Sequence, residues 1–414
     1  MKKRRVANPR ASSRGESLDS DSEIRTLNQI DHPLSYIPQC LLIEEVFPRL
    51  PVKSLLRYKS LSKQWNSIIS SPQFTQLHLS HSSSQIRYLL IDAQGNLHIH
   101  DNDDGLRRFE GQIQTDFNAR VTEPVGSCNG LVCSAQGVRG SDYYFIWNPS
   151  TAQFRKIPSP CNIPNDSMIF RGFGYVSSID DYKLVQAIYS DELWPDCFVM
   201  SIFSFRTGVW KHLSAPEKSN ELICCRFDDA CSVLHIRPGT ALVNETLHWL
   251  GFAFCCGDMD SQLLAFDLVK EDITNIPPPP NVVSDLSSGD AFVSVFEECL
   301  CLCNLYKNQG LVEMWVLEEY GDWESWKKLI KVELGMGLVS SKLPNWNLFG
   351  GFEKKILLRP SGGSPHLFVD LSHDPPKMVS LPNDLYLSFA ISYVESLVSP
   401  FPPLENDGTV GQLF

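Results

Sequence analysis

Residues able to do chemistry are spread thinly along this chain of 414 residues. The densest group is His98-x-His100 followed by Asp101, Asp103 and Asp104, whose imidazoles and carboxylates are metal-ligand types. A calcium loop of the EF-hand kind needs glycine at its sixth position and a closing Glu. Here Gly105 arrives at the fifth place from Asp101, and no Glu closes the loop. Asp, Asn and Gly at that density form turns, so the segment reads as a hairpin and no metal site is assigned. The 13 cysteines include no Cys-x-x-Cys pair. Cys224-Cys225 and Cys255-Cys256 are adjacent, while Cys299, Cys301 and Cys303 alternate. Alternation at period two puts those three on one face of a strand, as small buried apolar side chains rather than zinc ligands.

Other chemical signatures are missing. There is no Gly-x-Ser-x-Gly elbow, His-Glu-x-x-His or Gly-x-x-x-x-Gly-Lys loop. Gly172-Phe173-Gly174 lacks the third glycine of a dinucleotide fingerprint and reads as close backbone packing. His248, in the strand-like run LHWL, has no carboxylate partner arguable from sequence and reads as a structural histidine. Trp194-Pro195 falls in a loop, YSDELWPDC, either as an exposed anchor for a partner or folded back onto its own domain. No catalytic residue, metal or cofactor is assigned, and the chain reads as non-catalytic.

The formal charge of −12 argues against nucleic acid and anionic membrane as partners, because a cation-poor surface repels phosphate. No apolar run approaches the roughly 20 residues of a membrane span, and the polar N-terminus has no signal-peptide core. The expectation is a cytoplasmic and/or nuclear protein with reduced thiols. Lys2-Lys3-Arg4-Arg5 is a basic cluster of the kind nuclear import can use, with a merely solvated terminus as the other reading.

Two textures divide the chain. Residues 1–33 are polar, charged and Ser-rich, as expected of a disordered tail, and 401–414 form a second tail. From Ile37 to Leu79 apolar residues recur at three- and four-residue steps, which marks amphipathic helices with one apolar stripe each. Pro51 stops one helix, Ser62 caps the next and Pro72 stops the last, giving about three short helices. Pro48 removes a bond to the Glu44 carbonyl and shortens or kinks the first. Some forty residues carrying so many large apolar side chains cannot bury them all internally, so the unit reads as a docking module. Ser80 to Gln85 is a polar joint between this unit and the rest of the chain.

From Ile86 onward Val, Ile, Phe, Tyr and Trp dominate short runs punctuated by Gly, Pro, Asn and Asp, which is strand chemistry. One pattern repeats: an apolar strand, a polar turn, then a large apolar residue with another three places on. It occurs at Phe154/Ile157, Trp210/Leu213, Ile273/Ile276, Trp326/Leu329 and Met378/Leu381, with a weaker copy at Leu106/Phe109. Units of about fifty residues with three to four strands match a kelch-type propeller blade, and six copies predict about six blades. The fold class is therefore mostly β: an N-terminal three-helix module over 36–80, then a kelch-like β-propeller over 86–400.

The helical segment resembles an F-box in the form common among plant proteins. The resemblance rests on Ile37-Pro38, Glu44 and Glu45, Arg49-Leu50-Pro51-Val52-Lys53-Ser54-Leu55-Leu56-Arg57, Ser62-Lys63-Gln64-Trp65 and Ser71-Pro72-Gln73-Phe74. The β-rich segment resembles the F-box-associated, kelch-like domain of those proteins. Its matching pieces are Ser127 to Cys133, Trp147 to Thr151, Gly172 to Tyr175 with Asp180 to Val185, Leu247 to Leu250, and Tyr393 to Leu397. Val176 and Glu245 depart from that pattern, at positions read as turns. The resemblance implies a substrate-recognition subunit of a Skp–cullin–F-box ubiquitin ligase. The helical module would bind a Skp-type adaptor, and through it cullin and RING subunits, while the propeller holds a target protein. By position in the motif, Ile37, Pro38, Leu41, Leu50, Pro51, Val52 and Leu55 are the adaptor-binding residues that the resemblance implies. A scaffold acting without ubiquitin transfer, and a propeller enzyme, are the alternatives.

Overall fold

The computed structural model describes residues 38–401 except for 83–85, 95, 102–104, 109–121, 137–142, 162–166, 190–197, 214–231, 237–239, 256–257, 281–290, 307–310, 334–345, 353–354, 361–365, 374 and 383. The N-terminal basic cluster, Ile37, Asp103, Asp104, Phe109, Trp194-Pro195, Cys224-Cys225 and residues 402–414 of the C-terminal tail lie outside the described residues. Two units are distinguished, residues 1–47 and 48–414.

In the first unit, Pro38 caps α1 (Gln39–Leu41), which widens into a π-helical turn over Leu42–Val46; the 3₁₀ turn that follows, Phe47–Arg49, runs from its last residue into the second unit. The Phe47 N–H reaches back five residues to the Leu42 carbonyl. Pro48 has no N–H with which to continue that ladder, so the helix changes pitch where the proline stands.

The second unit opens with α2 (Val52–Lys59), α3 (Lys63–Ile69) and α4 (Pro72–Ser82). Ser62 caps α3 as its type predicts, its hydroxyl accepting from the Trp65 N–H at 3.1 Å. Pro72 starts a helix where the sequence suggested a stop. It occupies the first helical position, where a missing N–H costs nothing, and the Ser71 hydroxyl caps the turn by accepting from the Phe74 N–H at 3.2 Å. The helix then runs through Ser82, over half of the stretch read as a polar joint.

Six antiparallel sheets come next, as blades. Blade one contains β1 (Ile86–Asp92), β2 (Leu97–Asp101) and β3 (Gly105–Arg108). Blade two contains β4 (Thr122–Cys128), β5 (Leu131–Gln136), β6 (Tyr143–Asn148) and β7 (Gln153–Pro158). Blade three contains β8 (Met168–Val176), β9 (Asp181–Tyr189), β10 (Phe198–Ser204) and β11 (Trp210–Leu213). Blade four has β12 (Ser232–Ile236) and β13 (Ala241–Val243) as two pieces of one inner strand, both on β14 (Thr246–Cys255), then β15 (Asp258–Asp267) and β16 (Asp272–Ile276). Blade five contains β17 (Ala291–Phe296), β18 (Cys299–Tyr306), β19 (Leu311–Leu317) and β20 (Trp326–Glu333). Blade six contains β21 (Trp346–Phe352), β22 (Lys355–Pro360), β23 (Leu367–Asp370) and β24 (Lys377–Ser380).

The last strand, β25 (Leu387–Val394), returns to pair antiparallel with β1 and supplies blade one with its inner strand. The inner strands β25, β4, β8, β12 with β13, β17 and β21 abut in sequence, and β21 meets β25 to complete the circle. The central strands are apolar on both faces because each face packs on a different neighbour: in β1, Leu89 and Ile91 join a core with blade two, whereas Tyr88 and Leu90 join one with blade six.

The repeated large residues fall on the outer strands β3, β7, β11, β16 and β20, and on β24 and its edge. One pair shifts. A bulge between Met314 and Trp315 in the β19–β20 register pushes Leu329 outward, 44% exposed, and Ile330 packs in its place. Val176, read as a turn residue, is fully buried in the core between blades three and four.

The β4–β5 connection is a two-residue turn in which Asn129 (φ 52°) and Gly130 (φ 80°) are both left-handed, as an Asn-Gly hairpin demands. A Cβ on Gly130 would stand 2.7 Å from the Val394 carbonyl oxygen of the closing strand. Gly130→Ala is therefore expected to destabilise the chain by about 2–3 kcal/mol, read as a lower urea midpoint at unchanged m-value.

Candidate functional site

In the first unit, Pro38 is exposed, Leu41 is 47% exposed and Val46 is 41% exposed, with Glu44 and Glu45 also in solvent. In the second unit, Pro51 is exposed and Leu50 half-buried, while Val52 and Leu55 are fully buried. Val52 and Leu55 lie three residues apart on α2, on the stripe that faces inward together with Ile69 and Phe74 among the module's buried residues. Their side chains have no surface to offer a partner. Leu61 does: at the corner before the Ser62 cap it is 69% exposed, and nearby Tyr58 is 36% exposed. Residue spacing alone did not single out Leu61 or Val46.

The turn that presents Leu50 and Pro51 is held on both sides. His78 on α4 is buried, and its Nε2 donates to the Leu50 carbonyl at 3.1 Å. That assignment leaves Nδ1 to accept from the Ser82 hydroxyl at 3.3 Å. Burial lowers the His78 pKa, and the Leu50 hydrogen bond and the Glu395 charge only partly oppose it, so the imidazole is neutral at pH 7. On the other side, the Val52 N–H donates to Glu395 Oε2 at 3.3 Å, and Glu395 Oε1 pairs with Arg87 Nη1 at 2.5 Å. Glu395 belongs to the Tyr393–Leu397 segment singled out in the sequence, but nothing there pointed to a contact 343 residues away.

The propeller's chemically suggestive residues have structural work. β2 and β3 form a hairpin with His98 opposite Arg108, and His98 Nε2 meets Asp92 Oδ2 at 3.0 Å. Among the described residues no group of three His, Cys, Asp or Glu is placed to hold a metal. Cys301 and Cys303 are buried and Cys299 half-buried beside Phe292, Met314 and Val316. A hydrogen bond that the Cys303 S–H donates to Cys301, together with burial, keeps the Cys303 thiol well above its ordinary range, hence protonated. Gly172 and Gly174 sit on β8, where the blade-four side chains of Leu247 and Leu242 close over them. Sequence reasoning missed a polar cluster between blades two and three: buried Tyr144 bonds buried Gln186 and accepts from Arg171 Nε at 3.2 Å, and Arg171 reaches exposed Glu123 at 2.9 Å.

Comparison with known proteins matches the helical module and the propeller to separate families. A family described as the F-box associated beta propeller domain matches residues 96–400, and one described as the F-box domain matches residues 36–77. The chain is 28% identical over 339 residues to the F-box protein CPR1 of Arabidopsis thaliana, covering 77% of this chain and 78% of that one. It is 24% identical over 319 residues to the Arabidopsis F-box/kelch-repeat protein At3g23880, covering 74% of this chain and 81% of that one.

His248 yields a pH prediction. It is fully buried on β14; its Nδ1 lies 3.3 Å from the Ala241 carbonyl and its Nε2 2.9 Å from the Tyr320 hydroxyl. Burial, opposed by backbone hydrogen bonds, lowers its pKa to about 4 from 6.5. The unfolded chain therefore binds a proton first as pH falls. The contribution of neutral His248 is complete above pH 6.5 and is lost as pH falls through about 4, on the order of 3 kcal/mol in all. Thermal melts across that window are expected to fall more steeply for the native chain than for His248→Gln; parallel slopes would contradict the assignment.

Proposed function

This chain belongs to the family of F-box proteins that carry an F-box-associated β-propeller, and on that premise we propose that it is a substrate-recognition subunit of a Skp–cullin–F-box ubiquitin ligase. Its helical module docks on a Skp-type adaptor, and its propeller holds a target protein. The chain's contribution is proximity: it raises the effective concentration of target lysines near a ubiquitin thioester carried by other subunits. Bond-making residues belong to those subunits, and this chain is the non-catalytic receptor.

One observation carries the reading. After the module has buried Val52, Leu55, Ile69 and Phe74, apolar side chains are still left in solvent in each unit: Leu41 at 47% in one, and in the other Leu61 at 69% together with exposed Pro51 at the opposite end of α2. Uncovered apolar area of this kind beside satisfied packing supports a partner surface. The motif's own residues thus divide into two jobs, with Pro38, Leu41 and Pro51 exposed, Leu50 half-buried, and Val52 and Leu55 inward.

Variants separate those jobs. Leu50→Ala combined with Pro51→Ala is expected to abolish co-purification with a Skp-type adaptor while the melting temperature holds. Leu55→Ala is expected to lower stability by about 2–5 kcal/mol instead, because it opens a cavity. Undiminished adaptor capture by the double variant would overturn the proposed function.

A further inference from the structure

We infer that Glu395 is the positioning residue of the docking turn: it fixes the start of α2, and with it Leu50 and Pro51, to the strand pair that closes the ring. This deepens the adaptor-docking reading and rests on it.

The first N–H groups of a helix need acceptors. Pro51 stands at the cap of α2 and supplies no side-chain acceptor. Its own carbonyl takes the N–H groups of Ser54 and Leu55, at 2.9 and 3.2 Å. The Val52 N–H is instead taken by Glu395, whose carboxylate sits at the positive end of the helix dipole. That carboxylate is not free to wander. Its other oxygen is held by Arg87 of β1, and the Arg87 and Glu395 side chains are only 19% and 14% exposed.

The register explains why these groups meet. Arg87 lies opposite Tyr393 in the β1–β25 ladder, and Glu395 is two residues beyond Tyr393, on the same side of the chain. Glu395 and Arg87 come together only when the last strand has paired with the first. With His78 holding the Leu50 carbonyl from α4, the peptide groups on both sides of Pro51 are fixed. A partner that binds this turn meets a preorganised edge and does not pay to order it.

The test uses the full-length chain and a Skp-type adaptor, with variants Glu395→Ala, Glu395→Gln, Arg87→Met and the Glu395→Ala/Arg87→Met pair. Hydrogen exchange is read at peptides covering 50–59, and adaptor affinity by titration. Glu395→Ala is expected to raise exchange at the start of α2 and to weaken adaptor binding about tenfold, as loss of a charged hydrogen bond implies. Glu395→Gln retains an acceptor and recovers part of both effects, and the Arg87→Met change adds little on top of Glu395→Ala. Wild-type exchange and affinity in Glu395→Ala overturns the inference. So does a loss of affinity that merely tracks a fall in melting temperature. Leu50→Ala/Pro51→Ala is the separate control: if it leaves adaptor binding intact, the docking reading fails, while the exchange at Val52 still reports whether Glu395 holds the turn.

Discussion

The structure depends on one ladder, the antiparallel pairing of Ile86–Asp92 with Leu387–Val394. Every other blade is made from consecutive strands and has local turns to hold it. Blade one does not. Its inner strand arrives from some three hundred residues away, so its formation costs the closure entropy of the whole ring. What offsets that cost is apolar burial on both sides. Ile391 and Tyr393 complete the core that Leu89 and Ile91 share with Val132 and Trp147, and Leu387 packs beside Tyr88, Leu90 and Phe368. A blade with a bare face would expose two such cores, so the ring closes as a unit.

Closure is also marked by side-chain hydrogen bonds to the last strand and the segment after it. The Ser127 hydroxyl donates to the Ser392 carbonyl at 2.6 Å, and the buried Asn148 amide donates to the carbonyls of Ser396 and Val398, each at 2.9 Å. Asn148 meanwhile accepts from the Ser150 and Thr151 N–H groups, so one side chain shapes a blade-two turn and ties down the segment after β25. Glu395 extends the same arrangement to α2. Ring, last strand and the Leu50–Pro51 turn are thereby joined by hydrogen bonds whose partners are far apart in sequence.

Much of this was legible in the residues. The fifty-residue recurrence of large apolar pairs marks outer strands, because each blade repeats one packing problem; the alternating cysteines of β18 follow from strand period alone. The Asn-Gly turn and the Ser62 cap carry their chemistry in their types. Other features were illegible for physical reasons. A bulge is a property of two strands together, so the exchange of Leu329 for Ile330 leaves no trace in β20 alone. Pro72 breaks a helix or begins one depending on whether the preceding residue caps, and Ser71 decides it. Val52 and Leu55 share a motif with Leu50 and Pro51, and only the packing of α2 shows that the first two are fully buried while Pro51 stays exposed. The Glu395 contacts depend on closure itself, which no local pattern encodes. Glu245 is the converse case. It stands where a turn glycine is expected, yet the turn keeps its form with Glu245 at φ 57° while its carboxylate accepts from the Ser177 N–H at 2.6 Å.

The most direct measurement is native-state hydrogen exchange on the full-length chain under increasing denaturant. Amides of Tyr88 to Ile91 and of their partners in β25 are predicted to exchange only through global unfolding, with the same free energy and denaturant dependence as the central strands β5 and β9. If β25 instead exchanges by local opening while β5 and β9 stay protected, the ring stands without its closing strand, and its dependence on that ladder is contradicted.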